Sequence, residues 1–298
     1  MTPRYIFHVG YHKTGTTYLQ RRLFPCLPLA YSNDKRLTTA LRDSEMDYLS
    51  IIRNHKESFT NKSESVFLIS GERFSGSALA SDGETFDIPE RIKAMGVAAK
   101  ALIVVREQYS YITSYFAHRT KKASCESMPQ FLERYGDSLS EKLQYHRLVE
   151  AYLEALGPEN VLVLPYEMMK HNLSAFLSSI LEFMKIDYSG GPIDASAVNP
   201  SRASKRWIQF NIWMNRILMF PTKHGMLAGR FSGRYEKAYG RFKRSVVDRY
   251  FQKAFWWDSS VVTVPTAYKD RTVDAFSASN RELSKNCPKL ELDKYGYC

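Results

Sequence analysis

The sequence predicts an α/β protein: a P-loop-like parallel sheet of about four to five strands, with helices on both faces and a helical C-terminal part. Short runs that are apolar throughout alternate with amphipathic stretches, which is typical of parallel strands covered by helices. The first run leads into "VGYHKTGTTYLQ", a glycine-bracketed loop that opens a helix. No linker, repeat or low-complexity segment divides the 298 residues, so we expect a single domain over 1–298.

Four strands and five helices are predicted along the chain. The strands are the apolar runs at 5–9, 65–70, 100–106 and 160–167. Helices are predicted from about Thr16 to Phe24, over "IPERIKAMG" with Pro89 in its first turn, over 107–119, over 138–157 as one long helix, and over 173–186. Ligands of parallel sheets bind beyond the carboxyl ends of the strands. Residues 10–17, 71–74 and those from Arg106 onward should therefore surround one crevice.

The cysteines indicate a reducing compartment. Cys26, Cys125, Cys287 and Cys298 form no C-x-x-C pair and no zinc-ligand spacing with histidines, so we expect no metal site. A disulfide between Cys287 and Cys298 is the alternative that secretion would favour. No signal-peptide pattern precedes the first strand, and no apolar run approaches the roughly 18 residues of a membrane span. We expect a cytoplasmic protein.

The positive charge of the chain is concentrated in one segment. The whole chain has a formal net charge of +11. Residues 202–253 contain 13 lysines and arginines against two acids, Glu236 and Asp248, so this segment accounts for the entire excess. Such a segment indicates an anionic partner, or else a solvated basic face. Three alternatives stay open for what this basic segment faces: the substrate, a membrane surface or solvent.

The loop after the first strand has the chemistry of a phosphate site. A helix N-terminus offers backbone N–H groups and the positive end of the helix dipole, and Lys13 adds a cation. A nucleotide-triphosphatase or kinase loop would carry its lysine directly after Gly15, where Thr16 stands instead. The third strand ends in Arg106, which suits an anion better than a magnesium ion. The loop therefore predicts an anionic ligand without the usual metal.

The stretch "HKTGTTYLQ" resembles the 5′-phosphosulfate loop of sulfotransferases that use PAPS, 3′-phosphoadenosine 5′-phosphosulfate. The resemblance implies that Lys13 and the residues Thr14, Gly15, Thr16 and Thr17 bind the cofactor. The family also has an arginine at the end of the third core strand and a serine eight residues later that hold the 3′-phosphate. "VVREQYSYITSYFAHR" supplies Arg106 and Ser114 at that spacing.

Looser similarity extends over most of the chain, with two departures from the family pattern. "VLVLPYEMM" resembles the fourth core strand with its Tyr-Glu, and the C-terminal stretch resembles the tails of bacterial members. Tyr18 replaces a tryptophan that follows the two threonines in cytosolic members, so we expect its packing against adenine to differ. "NPSRASKRW" lies where the family closes over the nucleotide without its glycine-rich motif. By this resemblance Ser201 and Arg202 contact the cofactor.

The resemblance implies sulfuryl transfer from PAPS to a hydroxyl or amine of an acceptor, with no metal required. Lys13 then stabilises the leaving phosphate, and Glu72, just after the second strand, is the base, as in the carbohydrate-modifying branch. His12 is the competing base. His118, Arg119 and Lys122 are expected to line the acceptor groove. The glutamate and the basic segment favour a glycan or other polar acceptor, and the oligomeric state stays open.

Two other functions remain alternatives. A P-loop nucleotide kinase or NTPase would share the loop but requires magnesium chemistry. A basic nucleic-acid-binding module would use 202–253, where aromatic residues interleave with cations. No RNP, zinc-finger or KH signature accompanies that segment, so we expect no nucleic-acid partner.

Overall fold

The computed structural model describes residues 4–42, 66–80, 83–122, 124–188, 190, 204–219, 230–243, 246–247 and 260–297. Its centre is a five-stranded sheet with strand order β2-β3-β1-β4-β5, and every pair is parallel. The strands are β1 Arg4–Gly10, β2 Ala30–Ser32, β3 Val66–Gly71, β4 Ala98–Val105 and β5 Val161–Pro165. The predicted P-loop-like α/β fold is confirmed.

The strand register brings the predicted site segments to one edge. On one side of β1, Val9 pairs with Gly71 of β3. On the other side, Gly10 pairs with Val104 of β4, and Val105 in turn pairs with Pro165 of β5. Because the strands are parallel, the segments that follow all four leave the same edge of the sheet.

Helices connect and cover the strands. A continuous helical segment follows the first loop: α-helix α1 Thr16–Tyr18, a π-helix Leu19–Leu23 and a 3-10 turn Phe24–Cys26. The other α-helices of the described residues are α2 Lys35–Ala40, α3 Gly83–Ala94, α4 Gln108–Lys121, α5 Met128–Lys142, α6 Tyr145–Leu156, α7 Tyr166–His171, α8 Leu173–Met184, α9 Lys205–Leu218, α10 Arg230–Phe242 and α11 Thr266–Asn286.

Two local predictions were wrong, and one strand was not located from the sequence. Pro89 lies inside α3, which begins at Gly83, and not in its first turn. The predicted long helix over 138–157 is two helices, α5 and α6, because the chain turns at Leu143 and Gln144. The short edge strand β2 was missed because three residues give too little pattern to detect.

The chain divides into two compact units. The first contains Met1–Tyr111, Asp137–Asn199 and Arg271–Cys298, and the second contains Ile112–Gly136 and Pro200–Asp270. The first unit holds the sheet, and one of its cores packs Leu102 and Val104 of β4 against Leu19 and Phe24 and against Phe176 and Ile180 of α8. The second unit is helical in its described part, with Met219 and Tyr239 buried together beside Cys125. The predicted Cys287–Cys298 alternative involves Cys298, which lies outside the described residues.

Candidate active site

The loop between β1 and α1 has the backbone of an anion-binding nest. Lys13 and Gly15 both have left-handed backbones, with φ of 65° and 83°, and Thr14 lies between them. This alternation turns successive N–H groups toward a common side, and the first N–H groups of the following helix have no intrahelical acceptor. Glycine is required at 15, since a Cβ there would also lie 2.7 Å from Sδ of Met169 in α7.

The three threonines of the loop are placed differently. Thr14 is buried, and its hydroxyl donates to the carbonyl of Tyr11 at 2.6 Å. Thr16 is also buried, with a longer contact of 3.4 Å to the same carbonyl. Thr17 is exposed. The hydroxyl of Thr14 thus fixes the loop, while the side chain of Thr17 is exposed.

Arg106, directly after β4, ties the loop to its surroundings. One Nη donates to the carbonyl of Lys13 at 2.8 Å. Its Nε and other Nη donate to Oγ of Ser110 at 3.0 and 2.8 Å, and the guanidinium lies 4.9 Å from the ring centroid of Tyr166. These contacts use three of the five N–H donors of an arginine. The sequence had paired Arg106 with Ser114; among the described contacts its hydroxyl partner is Ser110.

Two acidic side chains lie beside Arg106. The Glu107 carboxylate accepts from the N–H groups of Tyr109 and Ser110 at 2.8 and 2.6 Å and so caps the start of α4. Burial raises the pKa of Glu107, although these hydrogen bonds oppose the shift, and the nearby Glu167 raises it further. Glu167 in turn accepts from the hydroxyl of Tyr297 at 3.0 Å. The C-terminal residues therefore support the same strand ends.

The two candidate bases lie against each other beyond β1 and β3. Nε2 of His12 is 3.4 Å from Oε2 of Glu72, and their side chains are 26% and 41% exposed. Glu72 begins a 3-10 turn, Glu72–Ser75. The Ser75 hydroxyl lies 3.1 Å from the carbonyls of both Gly10 and Glu72. This serine joins the turn that carries Glu72 to the end of β1.

A buried lysine contacts the turn that carries Glu72. Lys142, at the end of α5, is 1% exposed. Its ammonium group donates to the carbonyl of Ser75 and lies 4.8 Å from the ring centroid of Tyr11. Tyr11 packs edge-on against Tyr145, with their ring centroids 4.9 Å apart. The hydroxyl of Tyr145 donates to the carbonyl of Arg106 at 2.7 Å. The segments after β1, β3 and β4 are thus linked through buried polar groups.

His8 is part of the internal support. It is fully buried in β1, and its Nδ1 lies 2.7 Å from Oγ of Ser70, its register partner in β3. The side-chain amide of Gln20 also donates to Ser70 Oγ, at 2.9 Å. Burial lowers the pKa of His8 to about 3, so the ring is neutral at physiological pH. Its hydrogen bond holds β1 to β3 directly before the loop.

The remaining predicted site residues belong to the core, to the second unit or to the part of the chain outside the described residues. Tyr18 is 4% exposed and belongs to the core. Ser114, His118, Arg119 and Lys122 belong to the second unit. There Arg119 contacts Glu126 at 3.3 Å, and its guanidinium lies 4.7 Å from the ring centroid of Tyr135. Ser201 and Arg202 lie outside the described residues.

Several supporting residues were missed from the sequence. Ser110, Met169, Lys142 and Tyr297 lie far from the motif glycines in sequence and carry no spacing that marks them. The resemblance of "VLVLPYEMM" gave one signal, because Tyr166, Glu167 and Met169 fall within it. The register that places β5 beside β4 explains why that stretch contacts the loop.

The residues present fit a phosphate-bearing nucleotide. The nest at Thr14 lies between two left-handed residues, the side chain of Lys13 is partly exposed, and the Arg106 guanidinium adjoins the same loop. These donors are the types that oxyanions of phosphate and sulfate prefer. Among the described residues, clusters of three or more histidine, cysteine, aspartate or glutamate side chains arranged to hold a metal ion were not found.

The sulfotransferase domain family matches residues 3–210 of the chain, about 70% of its length. This span contains every described residue of the site except Tyr297. No curated protein matches the chain. The described part of the chain also contains no helix that is both long and apolar enough to span a membrane.

The chain is also distantly similar to several solved structures. A sulfotransferase from Alicyclobacillus acidocaldarius is 16% identical, with 65% of this chain and 86% of that chain covered and a TM-score of 0.47. The sulfotransferase domain of the Synechococcus PCC 7002 olefin synthase is 15% identical, with 80% and 95% covered and a TM-score of 0.40. Mouse sulfotransferase SULT7A1, complexed with PAP, is 16% identical, with 85% and 89% covered and a TM-score of 0.41. The family assignment rests on the domain match.

Proposed function

The chain belongs to the PAPS-dependent sulfotransferase family, and we propose that it transfers a sulfuryl group from PAPS to a hydroxyl of a glycan or another polar acceptor, with an acceptor amine as the alternative. PAPS supplies the activated sulfuryl group. The observation that carries the proposal is the 3.4 Å pairing of His12 with Glu72, directly beside a phosphate nest. We assign the activity to the whole chain, 1–298, as one sulfotransferase domain.

The cofactor-binding assignment follows the contacts of the loop. The N–H groups of Thr14, Gly15, Thr16 and Thr17 and the side chain of Lys13 would hold the 5′-phosphate. Arg106, whose remaining donors are not used in the contacts described above, would bind the 3′-phosphate. We keep Ser114 as its predicted partner and Ser110 as the serine that orients it.

The chemical step requires a base for the acceptor proton and a cation for the charge that develops on the leaving phosphate. Lys13 supplies the cation. Glu72 is the base, because it is 41% exposed and follows the strand next to the loop. His12, on the loop itself, orients the Glu72 carboxylate through the contact between them. Exchanging the roles of Glu72 and His12 is the alternative.

A polar acceptor is favoured by the exposure of this pair and by the basic character of the chain. His118, Arg119 and Lys122 are proposed acceptor contacts, although Glu126 and Tyr135 already engage Arg119. The scattered cysteines favour a reducing compartment, and we propose the cytoplasm as the site of the reaction.

The test is incubation of the purified protein with ³⁵S-labelled PAPS and a panel of glycans, phenols and lipid-linked sugars. We expect label to appear in a glycan or polar hydroxyl compound without added metal. Transfer to phenols alone would contradict the acceptor class. The absence of any transfer, together with magnesium-dependent ATP hydrolysis, would favour the kinase alternative.

A further inference from the structure

Helix α9 has apolar side chains on two faces, and among the described residues one face is buried and the other carries exposed side chains. Trp207 and Ile208 are buried on its inner face together with Asn211 and Asn215. On the opposite face Trp213 is 59% exposed and Ile217 is 52% exposed. Together with Arg206 and Phe210 they occupy positions i, i+4, i+7 and i+11, which form one line along a helix. We call these four residues the α9 stripe.

The aromatic residues of the stripe contact one another and do not scatter. Phe210 stacks on the buried Trp207 with ring centroids 5.7 Å apart, and it meets Trp213 at 6.0 Å. The stripe is thus a continuation of the core to the surface. Isolated exposed apolar residues are ordinary, whereas an exposed line of them marks an interaction surface.

The neighbouring helix α10 packs on the buried side of α9. The hydroxyls of Tyr235 and Tyr239 in α10 donate to the Leu218 carbonyl at 2.6 Å and to Oδ1 of Asn215 at 2.5 Å, so α10 packs on the end of α9.

The positive charge around the stripe indicates which kind of partner would bind it. Helix α9 contains Lys205, Arg206 and Arg216 and no aspartate or glutamate. The wider segment 202–253 carries the whole net charge of the protein. A second copy of the chain would bring two such positive surfaces together, and a soluble polyanion would leave Ile217 in water. An anionic bilayer takes both the apolar side chains and the cations.

We propose that the α9 stripe and its basic rim dock the protein on an anionic lipid surface. Trp213 and Ile217 enter the headgroup region, and Lys205 and Arg206 meet lipid phosphates. This proposal does not depend on the identity of the acceptor or on the assignment of the base.

The test is flotation of the full-length protein with phosphatidylcholine vesicles that contain or lack phosphatidylserine. We expect binding to the anionic vesicles, weakened when salt rises from about 0.1 M to about 0.5 M because exposed charges are then screened. The double variant Trp213→Ser/Ile217→Ser should bind at least about tenfold more weakly, since it loses its apolar anchors. Lys205→Glu/Arg206→Glu should lose the preference for anionic lipid.

The matched controls are Val273→Ser, which removes an exposed apolar residue of α11 that is 37% exposed, and Arg281→Glu on the same helix. Both should bind vesicles like the wild type. If the serine double variant proves unfolded by circular dichroism, the charge variant decides the matter. Absence of vesicle binding, equal loss in the controls, a dimer that the serine variant converts to monomer, or binding to single-stranded DNA that anionic vesicles do not compete would each overturn the proposal.

Discussion

The two sides of the candidate site differ in how firmly the fold holds them. On the cofactor side, Thr14 is fully buried, the Lys13 carbonyl is held by Arg106, and Gly15 lies against Met169. On the proposed acceptor side, Nε2 of His12 lies 3.4 Å from Oε2 of Glu72, and their side chains are 26% and 41% exposed. The fold thus fixes the nest, which would bind a ligand of constant shape, and leaves the proposed reacting pair accessible. Changes on the two sides should therefore have separable effects.

The largest effect is expected on the acceptor side. Glu72→Gln keeps the shape of the side chain but cannot accept a proton, so single-turnover sulfuryl transfer at saturating PAPS should fall about 10²–10⁴-fold. His12→Ala should slow transfer less, because in our assignment it only orients Glu72. A nearly normal Glu72→Gln variant together with an inactive His12→Ala variant would exchange the two roles.

The next effect belongs to the cofactor side. Arg106→Ala removes donors to a phosphate, and charge-assisted hydrogen bonds contribute about 1.5–3 kcal/mol. Calorimetric affinity for adenosine 3′,5′-bisphosphate should therefore fall about 10–150-fold. The affinity for adenosine 5′-phosphate, which lacks the 3′-phosphate, should fall less, because this ligand is affected only by the lost contact between Arg106 and Lys13. An equal loss of affinity for the two nucleotides would show that Arg106 is a purely structural residue.

A smaller effect concerns the support of the loop at low pH. The folded pKa of His8 is about 3, below its ordinary value near 6.5. Between these values the unfolded chain binds the extra proton, so the free energy of unfolding falls as the pH drops through this window and is unaffected above it. From pH 7 to pH 5 this contributes a loss of about 2 kcal/mol.

The measurement is urea unfolding at both pH values for the wild type and His8→Asn. The asparagine can keep a hydrogen bond to Ser70 without titrating, so its unfolding free energy should depend less on pH by about that amount. Other groups titrate in both proteins and cancel in the difference. Equal pH dependence in the two proteins would show that His8 does not contribute.

The sequence predicted the parts of the site that are local. Four of five strands, the loop 10–17 and the positions of Glu72 and Arg106 at strand ends follow from apolar periodicity and from glycine and lysine spacing. Contacts between distant segments could not be predicted in this way. Lys142 reaches Ser75, and Tyr297 reaches Glu167 across 130 residues. Such pairs depend on how helices pack against the sheet, which a single sequence does not encode in any short pattern.

The threonines show the same limit at close range. The resemblance of the loop treats Thr14, Thr16 and Thr17 alike, as residues that bind the cofactor. In the structure the hydroxyl of Thr14, which lies between left-handed residues at 13 and 15, donates to the carbonyl of Tyr11, whereas Thr17 is exposed. This difference depends on the backbone conformation, which residue type alone does not predict.

The most direct test of the difference between the two sides is one titration series. Adenosine 3′,5′-bisphosphate is titrated calorimetrically into the wild type, Glu72→Gln and Arg106→Ala under identical conditions. We predict that Glu72→Gln binds within about twofold of the wild type, while Arg106→Ala loses at least about tenfold in affinity. Loss of affinity in Glu72→Gln equal to that in Arg106→Ala would contradict the separation of a fixed cofactor side from an accessible reacting pair.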